Sequence, residues 1–202
     1  FIHPLLLLPI VRGVIAGGAG EQDGRAFGYA LSKPEREDAV RLHDLHSKKQ
    51  FMDLLAGEIR ARLPEAQATP ILEFATLHLR MVPLEEVQGR RLADIYGAIV
   101  ACWHFLQEFD GASPKIQVFN PDLEVHGWQS THTVIAILQR NMPFVVDSVR
   151  MVLNRLELKV FGIQHAVYHV RRDAGGRLLH CGESRAAAYP EPGELLLFIE
   201  ID

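Results

Sequence analysis

The sequence predicts an α+β protein: a helical subdomain followed by a sandwich of strands and a helix. Three observations carry this. Apolar residues recur at helical spacing between about residues 32 and 110. From Lys115 the period shifts to alternation and short β-rich runs. The turn formers Asn120-Pro121-Asp122 and Asp173-Ala174-Gly175-Gly176 separate those runs.

In the helical part, Ser32 with Glu35 and Ser47 with Gln50 make capping boxes. After the second box, Phe51, Leu54, Leu55, Ile59 and Leu63 share one face, and Pro64 stops the helix. Thr69 is read as the cap of the next helix, with Pro70 at its first position. Its apolar side carries Ile71, Phe74, Leu77 and Met81. A short helical turn starts at Pro83. After Gly89 comes the strongest amphipathic pattern, with Leu92, Ile95, Tyr96, Ile99, Val100, Trp103 and Leu106 on a broad face. Gly111 and Pro114 close that segment.

Lys115 to Phe119 alternates like a strand, and Thr133 to Leu138 is a second β-rich run. Asn141 is read as the cap of a helix with Pro143 in its first turn, carrying Phe144, Val145, Val149, Val152, Leu153 and Leu156. Leu158 to Val170 reads as a long strand, and Arg177 to Cys181 as its return across a hairpin. A loop with Pro190 and Pro192 precedes a last strand, Leu195 to Ile201. Strand, helix, strand favours a parallel pair with a right-handed crossover. The order suits a truncated ferredoxin-like sandwich without its second helix and last strand.

Composition narrows the function classes. With 48% apolar and 23% charged residues the chain is of ordinary globular type, and a net charge of −4 offers no basic footprint for nucleic acid. Cys102 and Cys181 suit apolar filling in a reducing cytosol, not a disulfide framework or a metal site. Leu5 to Val11 has the apolarity of an export signal, but Pro4, Pro9 and Arg12 interrupt it and no charged segment precedes it. Residues 1–31 are therefore expected to be an unassigned, disordered leader. The first residue is not Met and the last lies inside an apolar run, so a piece of a longer protein is expected. The expected boundaries are 32–113 for the helical subdomain and 114–202 for the sandwich, incomplete at its C-terminal end.

Two stretches carry candidate chemistry. Between Val118 and Thr133, Glu124, His126 and His132 are metal- or anion-ligating residue types, with Trp128 beside them. No helical i,i+4 ligand pair supports a metal, so the favoured reading is an ordered polar loop anchored by Trp128. The second stretch is Asn141, Met142, Pro143, Asp147 and Ser148 at a strand-to-helix junction. Free N–H groups and the helix dipole there suit an amino-acid carboxylate. The plainer alternative is a capped helix start with Asp147 complementing the dipole. His165 and His169 share one strand face, read as solvated. Ala16-Gly17-Gly18-Ala19-Gly20 has neither the spacing of a dinucleotide fingerprint nor the lysine of a phosphate loop. No catalytic, cofactor-binding or metal residue is assigned.

Several of these motifs together resemble the N-terminal region of the large bacterial NAD-specific glutamate dehydrogenases. They are Phe119-Asn120-Pro121, His126-Gly127-Trp128-Gln129-Ser130-Thr131-His132-Thr133, Met142 to Val149, Arg91 to Gly97, and the closing Phe198-Ile199-Glu200-Ile201-Asp202. The likeness runs from about Ser47 to Asp202. It implies that the complete enzyme, a cytoplasmic homo-oligomer, oxidatively deaminates L-glutamate to 2-oxoglutarate and ammonia with reduction of NAD. It implies a nucleotide-binding domain and a catalytic lysine and aspartate further along the polypeptide, so this stretch would be non-catalytic, regulatory or assembling, and would bind no NAD itself. It also implies that residues 114–202 form an ACT-like domain. ACT domains commonly bind amino acids at the first strand-to-helix loop, which usually has glycine just after the proline. This chain has Phe144 there, which weighs against an amino-acid effector and for a packing or oligomer contact. A free-standing amino-acid sensor and a purely structural oligomerisation domain are the alternatives.

Overall fold

The computed structural model describes residue 42 and residues 45–182 and 193–202; the Ser32 box, the leader and the Pro190–Pro192 loop lie outside the described residues. Helix α1 is Lys48–Arg62, and the Ser47 side chain accepts from the Gln50 N–H at 3.2 Å. The Gln50 side chain reaches back to the His46 N–H rather than to that of Ser47. Phe51, Leu55 and Ile59 are buried, as their spacing requires, whereas Leu54 is on the rim.

Helix α2 is Glu65–His78 and begins earlier than the Thr69-Pro70 pattern suggests. Pro64 is its N-cap, and its carbonyl accepts from Gln67 and Ala68. Pro70 therefore sits inside the helix, and the Thr69 hydroxyl bonds back to Glu65 at 3.1 Å. The early start puts Ala68 in the core with Ile71 and Phe74. The helix also ends before Met81, which is 81% exposed; Leu79 and Val82 are buried instead. One turn, α3, spans Leu84–Val87. Helix α4, Leu92–Leu106, buries the face its periodicity marks.

Strand β1 is Lys115–Phe119, and a single helical turn not foreseen in the sequence, α5, is Leu123–His126. Then follow β2 Thr133–Arg140, α6 Val145–Arg155, β3 Val160–Arg172, β4 Leu178–Gly182 and β5 Glu194–Ile201. The sheet has five strands in the order β1-β2-β5-β3-β4, with every neighbouring pair antiparallel. β2 and β3 do run parallel, but they are not hydrogen-bonded neighbours. β5 lies between them because all eight of its residues are buried, and only a central strand covered on both faces supplies that environment.

Alternation along the strands divides the core in two. Val134, Ala136, Leu138, Leu196, Phe198 and Tyr168 face α2 and α4 and continue the helical core through Phe74, Ile95 and Leu106. Ile135, Ile137, Leu195, Leu197, Ile199 and Ile201 face Val145, Val149, Val152 and Leu153 of α6. Burying each such side chain contributes about 2 kcal/mol. The sheet is thus covered by the helical part on one face and by α6 on the other.

Candidate functional site

The polar loop after β1 is built almost entirely on itself. Asp122 accepts from the N–H groups of Glu124 and Val125 at 2.8 and 3.1 Å and so starts α5. The Asp122 N–H donates to His126 Nδ1 at 3.0 Å, and the His126 ring lies 5.0 Å from that of Phe119. Burial lowers the His126 pKa, and Asp122 partly offsets this. Gly127 takes a left-handed turn at φ 74° that ends α5. Trp128 then dives into the core between Phe119 and Phe198.

The rest of the loop ties the helices to the sheet. The Gln129 N–H donates to Asp94 of α4 at 3.2 Å, and Ser130 Oγ accepts from the His132 N–H at 3.1 Å. Thr133 Oγ1 donates to Asn120 at 2.8 Å, and the His132 ring stacks on Phe161 at 3.8 Å. Phe119 is at the end of β1 and Phe161 at the start of β3, with β2 and β5 between them. His126 and His132 therefore rest on different strands, β1 and β3, and not on one another. Glu124 is exposed on α5. Among the described residues no group of three or more His, Cys, Asp or Glu is placed to hold a metal ion.

The second stretch departs from its sequence reading. The β2–β5 ladder continues to Arg140 opposite Glu194, and the Asn141 N–H donates to the Gly193 carbonyl at 2.7 Å. Asn141 is thus still bound to the sheet and does not cap α6. The cap position belongs to Phe144, at φ 66°, with its side chain 76% exposed rather than in the core. Met142 packs against the α6-side core, Pro143 and Asp147 are exposed, and the Ser148 N–H bonds to the Phe144 carbonyl at 2.9 Å. Cavities of about 150 Å³ between α2 and α4 and about 140 Å³ between Trp103 and β4 lie away from this junction.

The polar groups that join the two halves of the molecule were not singled out by sequence patterns. Glu194 and Glu200 occupy opposite ends of β5 on its helix-facing side. Arg172 grips Glu194 with two bonds, 2.8 and 2.7 Å, and also donates to the carbonyls of Leu106, Gln107 and Gly176. It thereby satisfies the end of α4. Arg90 pairs with Glu200 through both terminal guanidinium nitrogens, Nη1 and Nη2. Buried His78 bonds through Nδ1 to the Tyr168 hydroxyl at 2.7 Å and stacks on Phe74. Burial lowers its pKa to about 4 and raises that of Tyr168. The signal that was available is the pair of acids on one face of an otherwise apolar strand, which demands cationic partners.

Two parallel strands joined by a helix, with a later strand slotted between them, form an ACT-like α+β domain. The chain belongs to the glutamate dehydrogenase ACT1 domain family, whose model matches residues 74–202. It is 47% identical over 156 residues to the NAD-specific glutamate dehydrogenase of Halomonas elongata, and 36% identical over 156 residues to that of Pseudomonas aeruginosa. Each match covers 77% of this chain and 10% of the relative, so the chain spans about a tenth of the length of these curated relatives. No solved structure matches.

Proposed function

We propose that the chain is the N-terminal, non-catalytic part of an NAD-specific glutamate dehydrogenase, and that it serves assembly or control of the catalytic domain in the same polypeptide. The complete enzyme would convert L-glutamate, NAD and water to 2-oxoglutarate, ammonia and NADH. The observation that carries this is that the match falls on a tenth of the relatives' length, while the charged pairs Arg172–Glu194 and Arg90–Glu200 are occupied in holding the fold. Neither strand-to-helix junction of the described residues, Asn120–Asp122 or Asn141–Phe144, contains the glycines of a pyrophosphate cradle, so these two junctions do not fit NAD. Among the described residues no helix is long and apolar enough to cross a membrane.

The loop Asn141–Ser148 supports a contact role better than an amino-acid site, because Phe144 projects into solvent where a ligand would need close access to the backbone. Glu124, His126, Trp128 and His132 form a structural loop. Deleting this segment from the complete polypeptide is expected to abolish assembly or effector response while leaving the catalytic residues in place. Unchanged sedimentation and unchanged steady-state kinetics of the truncated enzyme would overturn the reading. An increase in melting temperature with a free amino acid at millimolar concentration would instead favour the sensor.

A further inference from the structure

The outward face of α6 has a pattern that the fold itself does not use. At 3.6 residues per turn, Asp147, Met151 and Arg155 fall within about 80° of arc, opposite the buried Val145, Val149, Val152 and Leu153, and Phe144 precedes them at the N-cap. Phe144 is 76% and Met151 65% exposed. Asp147 and Arg155 are exposed, and neither has an ion-pair partner among the described residues. Phe144 also holds a left-handed backbone conformation at φ 66°, which is strained for a bulky residue and not for glycine. A strained, solvent-facing aromatic is disfavoured twice in the isolated domain.

The charges on this face are self-complementary. Asp147 lies one turn before Met151 and Arg155 one turn after it, each about 6 Å away along the axis. A two-fold axis through Met151, relating two antiparallel α6 helices, sets Asp147 of each copy opposite Arg155 of the other. Met151 then meets its own symmetry mate, and Phe144 extends past the end of the facing helix. We infer that α6 is the contact surface for a second copy of this chain, paired antiparallel about Met151. This rests on the assembly reading above and names its partner and register.

Charge exchange tests the register. Sedimentation of the 202-residue chain is expected to show a dimer at tens of micromolar. Asp147→Arg alone and Arg155→Asp alone are each expected to weaken it about tenfold, and the double variant to restore it. Phe144→Gly is expected to weaken association yet raise the melting temperature of the monomer, because it removes the strain. Both charged positions are exposed, and far-UV circular dichroism verifies that the variants fold. A strict monomer at that concentration, or single losses that add in the double variant, would overturn the inference. Either result leaves the assembly reading open to its own test, deletion from the complete polypeptide.

Discussion

Trp128 lies directly over Gly97. A Cβ built on Gly97 would stand 2.4 Å from the Cβ of Trp128 and 2.6 Å from its Cγ, so helix α4 approaches the loop only because this position has no side chain. The contact docks the His126–Thr133 segment onto the helices. It also makes sense of Gly97 in the middle of a helix, where glycine costs about 1 kcal/mol relative to alanine.

Gly97→Ala should therefore destabilise the protein by about 2 kcal/mol despite the better helix propensity, because the atoms it meets are the fixed root of the indole. Gly57, on the exposed side of α1, has no atom within 4 Å of its would-be Cβ. Gly57→Ala should stabilise by about 0.5–1 kcal/mol. Urea unfolding of both variants reads the opposite signs. Equal signs would show that the Trp128 contact does not limit the packing.

Arg172 and Glu194 are both largely buried, so removing one partner leaves a charge without compensation. Arg172→Met should cost about 3–5 kcal/mol. Adding Glu194→Leu should recover only part of this, since the Leu106 and Gln107 carbonyls still lack their donor. Chemical denaturation of the single and double variants closes the cycle. Full recovery would mean that the α4 carbonyls do not need Arg172.

His78 makes the stability depend on pH. Its folded pKa of about 4 lies below the unfolded value of 6.5, so the unfolded chain binds the proton more readily. The contribution of neutral His78 is fully present above pH 6.5 and is lost as pH falls toward 4, a change of roughly 3 kcal/mol. Urea midpoints measured from pH 7.5 to 4.5 should decline, and His78→Gln should flatten that decline. An unchanged slope in the variant would assign the effect to other groups.

Cys102 and Cys181 should resist thiol reagents in the native state. Both are buried, and burial raises both thiol pKa values, that of Cys181 to about 12. A disulfide reagent at pH 8 should titrate them only as the protein unfolds. Prompt native-state labelling would place a thiol near the surface.

Local chemistry made most elements legible. The Ser47 cap, the wide apolar face of Leu92–Leu106 and the Asp173–Gly176 turn each rest on residues a few positions apart, and all three are present, though Gln50 returns to His46 and not to Ser47. The family motifs were legible for the same reason. The misread positions are those where a distant partner overrides the local signal. Asn141 has the side chain of a helix cap, but its backbone belongs to the ladder with β5, whose residues lie more than fifty positions later. Met81 fits the helical spacing, but α2 stops at His78 and the core is filled by Leu79 and Val82.

Periodicity therefore settled the kind of element and which of its faces is apolar, since both depend on neighbours within a turn or a pleat. Tertiary structure decided that β5 separates β2 from β3, that Arg90 and Arg172 answer Glu200 and Glu194, and that His126 and His132 rest on Phe119 of β1 and Phe161 of β3. Those outcomes depend on which long-range arrangement buries the most apolar surface without leaving a charge alone, a competition that no short window of residues contains.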